Sequence, residues 1–222
     1  MSDLAMSDSV TARQKMVDCQ VRTSDVTDQR VIEAMLTVPR ESFVPDGKQA
    51  MAYLDLDLEV GENRFLLKPV VVARLLQAAE IRHTDSVLVV GCATGYTAAL
   101  AAKLAQQVRA TDPDAALVAQ ARASLDKLGL GAVSVTAAAP AEGDSAHAPY
   151  DVIVLEGATE IVPDHLYRQL KEGGRLVGVF ATAPVSRATL VTHSHDDYGS
   201  RILFDASARL LPGLQRTPEF VF

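Results

Sequence analysis

The sequence predicts an α/β fold with a mostly parallel central sheet, an antiparallel C-terminal hairpin and a helical N-terminal extension. Strand-like apolar runs alternate with helix-like segments from residue 86 onward, which is typical of a parallel sheet with helices on both faces. One of these runs, Val87–Val90, leads directly into the glycine-containing turn Gly91 to Gly95. Near the end of the chain, two strand-like segments flank a polar turn, as in a hairpin.

Local signals define each element. The predicted helices cover residues 9–21, 28–38, 69–79, 96–106, 114–128 and 163–170. The predicted strands cover residues 87–90, 108–111, 133–136, 152–155 and 176–180, and the hairpin joins residues 189–192 to 201–204. Ser9 is the expected N-cap of the first helix, Pro39 ends the second and Pro69 opens the third. We expect one domain over residues 1–222, with a cap region at 1–80 and a core at 81–222.

Composition narrows the class of protein. Of the 222 residues, 48% are hydrophobic and 22% are charged, a globular balance, and the net charge of −7 argues against a nucleic-acid partner. No apolar run is long enough to span a membrane, and the segment from Met1 to Lys15 lacks the apolar core of a secretory signal, so we expect a cytoplasmic protein. The two cysteines, Cys19 and Cys92, suggest neither a disulfide framework nor a zinc motif.

The turn after the first predicted strand of the core indicates a nucleotide-type ligand. A strand that ends in a glycine turn and leads into a helix lets the backbone approach such a ligand at the carboxyl edge of a sheet. The dinucleotide pattern would need glycine at Gly91, Ala93 and Tyr96, so NAD is disfavoured. The turn is not followed by the lysine of a phosphate-binding loop, which disfavours ATP. We therefore expect a nucleoside without a pyrophosphate.

Asp112 is the candidate partner of the ribose. It stands at the end of the second predicted strand of the core, 21 residues after Gly91. A carboxylate at this place can accept hydrogen bonds from ribose hydroxyls. The competing interpretation is that Asp112 caps the helix that follows Pro113.

Other candidates each have two interpretations. Glu156 follows the fourth predicted strand, where it is either an acid, base or acceptor-orienting group or an exposed loop residue. Cys92 is either a reactive thiol or a small packed residue beside the ligand. The cluster of His193, His195, Asp196 and Asp197 falls in the hairpin turn, where such residues have backbone reasons to occur, so we expect no metal.

Several motifs together resemble the protein-L-isoaspartate O-methyltransferase family. They are Met16–Arg22, Asp28–Met35, Val38–Pro45, Ala52–Asp55, Val60–Gly61, Val87–Tyr96, Ala148–Asp151 and Leu170–Val177. The resemblance implies a Rossmann-like methyltransferase fold and S-adenosylmethionine as cofactor. It also implies methyl transfer to the side carboxylate of isoaspartyl residues in a protein or peptide substrate.

Alignment with the family also identifies departures. In the segment Gly61–Pro69, the family's serine falls on Leu67 and its threonine on Phe65, so both acceptor-side hydroxyls are replaced by apolar groups. A glycine of the family's turn falls on Ala93, and the aspartate that meets the adenine amine falls on Ala139.

The resemblance implies the following residues at the cofactor: Gly91, Cys92, Ala93, Gly95, Tyr96, Asp112 and Ala139. It implies Phe65 and Leu67 on the acceptor side and leaves the catalytic residue unassigned, with Glu156 as the remaining candidate. Because of the departures, two alternatives stay open. One is an inactive member that binds a nucleoside cofactor or a partner, and the other is a methyltransferase retargeted to a more apolar acceptor.

Overall fold

The computed structural model describes residues 3–195 and 197–217, and side chains from residue 8 onward. The helices are α1 Asp3–Met16, α2 Gln29–Thr37, α3 Pro69–Ala79, α4 Tyr96–Leu104, α5 Ala115–Lys127 and α6 Asp164–Tyr167. The strands are β1 Leu58–Gly61, β2 Arg64–Leu66, β3 Ser86–Val90, β4 Gln107–Asp112, β5 Ser134–Ala137, β6 Tyr150–Thr159, β7 Leu170–Phe180, β8 Arg187–Ser194 and β9 Asp197–Asp205.

The central sheet has the strand order β5-β4-β3-β6-β7-β8-β9. Strands β3 to β7 pair in parallel, and β8 and β9 continue the sheet as an antiparallel hairpin. The predicted fold class is therefore confirmed. Strands β4 and β6 flank β3 on either side, so the chain changes direction across the sheet at β3, which is where open α/β sheets bind ligands.

Both faces of the sheet are covered, which explains the unbroken apolar run of β3. Val87 and Val89 belong to a larger apolar cluster with residues of helices α2 to α5. Leu88 and Val90 belong to a second cluster with Leu166 of α6 and Leu211. Alternate β3 side chains thus point to opposite faces, as strand geometry requires.

Several element boundaries differ from the predictions. Helix α1 begins at Asp3 rather than Ser9 and continues as a single π-helical turn, Val17–Val21. The predicted helix at 163–170 shortens to the four residues of α6, because Leu170 already pairs with Tyr150 as part of β7. Strand β6 runs beyond Leu155, through a register shift, to Thr159.

Strands β1 and β2 form a small antiparallel hairpin outside the central sheet. Asn63 adopts a positive φ of 53° in the connecting turn, a conformation that Asn tolerates better than most residues. The hairpin brings Arg64 towards the carboxyl edge of the central sheet. Within the described residues, no helix combines the length and the apolar character needed to cross a bilayer.

Candidate functional site

The turn after β3 is tightly folded and buried. Gly91, Ala93 and Gly95 have positive φ values of 72°, 49° and 96°, so an alanine occupies a left-handed position here. The Cys92 N–H donates to the carbonyl of Thr111 at 2.8 Å, which ties the turn to β4. Every residue from Gly91 to Tyr96 is buried. The backbone has the shape of a ligand-binding turn, and other parts of the chain cover it.

Asp112, at the end of β4, is fully buried and bound to the turn. Its Oδ2 accepts from the Ala93 N–H at 2.8 Å, and its Oδ1 accepts from the Asp114 N–H at 3.1 Å. The helix-cap interpretation of Asp112 is wrong, because Asp114 caps α5 by accepting from the Ala116 N–H. The Asp112 carboxylate therefore accepts hydrogen bonds from the turn and from groups that lie over the turn.

Arg64 of β2, which no sequence pattern indicated as a site residue, lies over Asp112 and the turn. Its Nη2 donates to Asp112 Oδ2 at 2.6 Å and to the Gly91 carbonyl at 2.7 Å. The side chains of the ion pair are only 5% and 0% exposed. Arg64 Nε is buried with no hydrogen-bond partner among the described residues. The only local signal was an arginine after a two-residue turn, and nothing nearby in sequence points to Asp112.

Leu211 covers the remainder of the turn. A Cβ atom placed on Gly91 would lie 2.5 Å from Leu211 Cδ2, and one on Gly157 would lie 2.7 Å from Leu211 Cγ. Backbone hydrogen bonds hold this part of the chain on the end of β6, since Ala158 N–H donates to the Arg209 carbonyl and Leu211 N–H donates to the Ala158 carbonyl. Segment 209–214 therefore buries the turn and adds hydrogen bonds to the end of β6, where Ala158 and Thr159 also pair with β7.

Glu156 lies on the other side of β3, within β6, and is 2% exposed. The interpretation of Glu156 as an exposed loop residue is wrong. Its Oε1 accepts weakly from the Leu67 N–H at 3.4 Å, and its Oε2 is buried without a partner among the described residues. Burial raises the pKa of Glu156 from 4.5 to about 7, although the Thr97 hydroxyl and the Arg40 charge oppose the increase.

Three more polar groups adjoin this carboxyl, and with it they form what we call the Glu156 cluster: Arg40, Tyr96, Thr97 and Glu156. Arg40 is fully buried and donates to the carbonyls of Ala52 and Leu67, both at 2.8 Å. Its guanidinium carbon lies 4.7 Å from the centre of the Tyr96 ring. Within the described part of the chain, Arg40 Nη1, Tyr96 Oη and Thr97 Oγ1 are buried and have no partner in hydrogen-bonding geometry. Tyr96 still lies near enough to Arg40, and Thr97 near enough to Glu156, to shift the pKa of that partner. Such unpaired buried atoms are rare in folded proteins, so the cluster has unused hydrogen-bonding capacity.

The two residues predicted for the acceptor side, Phe65 and Leu67, lie at different places. Leu67 is buried, and its backbone faces the Glu156 cluster through its N–H and carbonyl. Phe65 points away from Arg64, as alternation along β2 requires, with the Arg209 guanidinium 5.2 Å from its ring. It lines an open cavity of about 560 Å³ that Asn63 and residues of segment 209–214 also line. The structure therefore brings Leu67, but not Phe65, to the Glu156 cluster.

The other predicted residues have simpler surroundings. Ala139 is exposed at the carboxyl edge beyond β5, where its carbonyl accepts from the Glu142 N–H at 2.9 Å. Cys92 is buried, and burial raises the pKa of its thiol, which favours the packed interpretation over a reactive thiol.

The hairpin turn of β8 and β9 is far from this edge. His193 stacks on the Tyr198 ring at 4.8 Å, and His195 has a positive φ of 52°. Asp196 lies outside the described residues. Among the residues that are described, no three His, Cys, Asp or Glu side chains are grouped to hold a metal ion.

Comparison with known proteins gives a consistent result. Residues 11–200 match the family model described as protein-L-isoaspartate(D-aspartate) O-methyltransferase. The chain is 42% identical over 165 residues to a protein-L-isoaspartate O-methyltransferase of Koribacter versatilis, and the aligned region covers 74% of each chain. It is 38% identical over 165 residues to that of Methanoculleus marisnigri, covering 74% of this chain and 75% of the relative.

Two solved structures share the fold. One is a protein-L-isoaspartate O-methyltransferase, with a TM-score of 0.81 at 22% identity over 91% of this chain and 67% of the other. The second is a putative enzyme of this kind from Plasmodium falciparum in complex with S-adenosyl-L-homocysteine, with a TM-score of 0.78 at 16% identity over 90% of this chain and 97% of the other. The fold, the family model and the relatives agree, and the chain belongs to the protein-L-isoaspartate (D-aspartate) O-methyltransferase family.

Proposed function

We propose that this chain uses S-adenosylmethionine to methylate the side carboxylate of isoaspartyl residues in proteins. The observation that carries the proposal is the pairing of two sites at one sheet edge, in a chain of this family. A buried carboxylate, Asp112, adjoins a glycine turn on one side of β3, and the unpartnered donors of the Glu156 cluster lie on the other. The relatives do not favour the inactive or retargeted alternatives.

The residues of the turn have the right chemistry for this cofactor. The Asp112 carboxylate suits the ribose hydroxyls, and the Gly91 carbonyl is an acceptor suited to the cofactor's ammonium group. Both accept hydrogen bonds from a single nitrogen of Arg64, so they face a common space. Arg64 and Leu211 fill that space, so both must move when the cofactor binds.

The bound cofactor supplies a methyl group on a positively charged sulfur. With Asp112 and the Gly91 carbonyl holding the cofactor, the chemistry it would supply is transfer of this methyl group to an oxygen of the acceptor carboxylate, with the carbon–sulfur electron pair left on sulfur. The products are a methyl ester and S-adenosylhomocysteine, and no proton is transferred. Because a free carboxylate is ionised at neutral pH, the enzyme needs no general base. Its residues have to position the acceptor and exclude water.

The Glu156 cluster can perform this positioning. Arg40 Nη1, Tyr96 Oη and Thr97 Oγ1 are unused donors that can bind a carboxylate. With a pKa of about 7, part of the Glu156 population is protonated at neutral pH and can donate from Oε2 as well. A protonated Glu156 also avoids repulsion between two carboxylates.

Methyl transfer from labelled S-adenosylmethionine tests the proposal with a matched pair of peptides that contain isoaspartate or aspartate at one position. We expect methyl ester formation on the isoaspartyl peptide alone. Equal labelling of both peptides, or of neither at millimolar cofactor, would refute the proposed substrate.

The variant Thr97→Val tests the role of the cluster. It removes one buried hydroxyl while keeping the shape of the side chain, so we expect a loss of kcat/KM of about ten- to a hundredfold, the value of one hydrogen bond to a charged group. The matched control is Thr192→Val on β8, which lies near the amino ends of the parallel strands. An unchanged kcat/KM in Thr97→Val would exclude this hydroxyl from acceptor positioning.

A further inference from the structure

The guanidinium of Arg64 occupies the place where the donors of the cofactor belong. One nitrogen, Nη2, donates to both Asp112 Oδ2 at 2.6 Å and the Gly91 carbonyl at 2.7 Å. Under the proposed function, on which this inference rests, these are the acceptors for the ribose hydroxyls and the ammonium group. A single cation thus satisfies two acceptors that the cofactor would satisfy with two separate groups.

Arg64 and Leu211 together close the site at the turn. The ion pair is almost completely buried, and a Cβ on Gly91 would lie 3.1 Å from Arg64 Nη2 as well as 2.5 Å from Leu211 Cδ2. Arg64 and Leu211 therefore cover the same face of the turn from two directions. Neither residue belongs to the central sheet, so both can move without breaking it.

The closed state leaves one polar group unsatisfied. Arg64 Nε is buried and has no hydrogen-bond partner among the described residues. A buried donor without a partner is unfavourable, and it would regain a partner if the guanidinium moved towards water. The contact thus combines a strong ion pair with an unsatisfied buried donor, and this donor lowers the free energy needed to move the guanidinium out of the site.

We propose that Arg64 is an internal competitor of the cofactor and sets its affinity. The cofactor binds when the guanidinium leaves Asp112 and the Gly91 carbonyl and when the Leu211 side chain moves away from the turn. Since only the open fraction of molecules can bind, the apparent Kd equals the intrinsic Kd divided by that fraction. Removing either covering residue should therefore tighten binding.

Calorimetric titration with S-adenosylhomocysteine, the unreactive product, tests this on the full chain. We expect Arg64→Ala to bind about tenfold or more tightly than the unsubstituted protein, as for a site that is open in about a tenth of molecules or fewer. Thermal unfolding without ligand should show a lower Tm, because Asp112 loses its cation. Leu211→Ala keeps the ion pair and should also bind more tightly, which keeps the proposal testable if Arg64→Ala does not fold.

Arg175→Ala is the matched control. Arg175 Nη2 donates to Asp85 Oδ2 at 2.7 Å in a largely buried pair at the opposite edge of the sheet. It should lower Tm without changing affinity. Equal or weaker binding by Arg64→Ala and Leu211→Ala would overturn the proposal while leaving the cofactor assignment intact. Absence of heat for every protein at millimolar ligand would overturn both.

Discussion

Each flank of β3 holds a buried carboxylate, and the two carboxylates differ in how many of their oxygens are hydrogen-bonded. On the β4 side, both oxygens of Asp112 accept hydrogen bonds, and one of them also pairs with Arg64. On the β6 side, Glu156 has one long bond from a backbone N–H and one oxygen without a partner in the described chain. On the first flank the carboxylate is fully satisfied and the site is closed, whereas the second flank keeps a carboxylate with unused hydrogen-bonding capacity.

The two carboxylates differ because the two buried arginines donate to different acceptors. Arg64 donates to Asp112 and Gly91, and Arg40 donates to the carbonyls of Ala52 and Leu67. Neither arginine forms an ion pair with Glu156, although the charges of both lower its pKa. Under these proposals, the two sites are prepared for their ligands in different ways. One holds an arginine side chain in the place of the ligand, and the other leaves its polar groups unpaired.

The largest expected effect is on the satisfied flank. Asp112→Ala leaves the buried Arg64 without its countercharge and the Ala93 N–H without its acceptor, so we expect a loss of about 3–5 kcal/mol in the free energy of unfolding. Urea denaturation measures it. Asp144→Ala, which removes the partner of the more exposed Arg109, should cost clearly less. A loss below about 1 kcal/mol in Asp112→Ala would contradict the assignment of a strong buried pair.

On the unsatisfied flank, the effect depends on pH. The pKa of Glu156 is raised to about 7, so the folded state holds this proton more tightly than the unfolded state, whose pKa is near 4.5. The stabilising contribution is complete below pH 4.5, decreases by up to about 1.4 kcal/mol per pH unit, and is lost once the pH passes 7.

Denaturation at pH 5 and pH 8 checks this sign. The unsubstituted protein should lose about 2–3 kcal/mol more than Glu156→Gln between these pH values. Glu142→Gln, at an exposed carboxyl, is the control and should follow the unsubstituted protein. Parallel pH profiles for the unsubstituted protein and Glu156→Gln would show that the carboxyl is not desolvated.

The smallest expected effect concerns a hydroxyl. Tyr96 Oη is buried without a hydrogen-bond partner in the described chain, so Tyr96→Phe should change the free energy of unfolding by less than about 0.5 kcal/mol. Tyr150 Oη donates to the Asp144 carbonyl at 3.1 Å, and Tyr150→Phe should cost about 1 kcal/mol. If Tyr96→Phe proves the more costly of the two, the Glu156 cluster is better satisfied than the geometry indicates.

Local sequence patterns predicted the parts of the site that depend on local structure. The run Val87–Val90 predicted β3, the glycines predicted the turn, and the end of β4 predicted the location of Asp112. The Pro69 signal gave α3 its observed start. The division into a cap at 1–80 and a core at 81–222 stays a prediction, as do the cytoplasmic location and the absence of nucleic-acid partners.

Long-range contacts explain what local patterns missed. Arg64 and Asp112 are 48 residues apart in sequence, and no periodicity connects them. Leu211 reaches Gly91 only because segment 209–214 pairs with the end of β6. Pairing with β7 carries β6 on to Thr159, and the same segment binds its end, so Glu156 lies inside a strand rather than in an exposed loop.

The attachment of segment 209–214 also has a consequence for the order in which the molecule is built. The segment follows β9, the last strand of the central sheet, and synthesis proceeds from the N-terminus. A growing chain that has reached Asp205 already contains every strand, both partners of the Arg64–Asp112 pair and the turn at Gly91. Every strand of the central sheet thus precedes Leu211, and the turn at Gly91 is covered by a residue that the chain adds only after the last strand of the sheet.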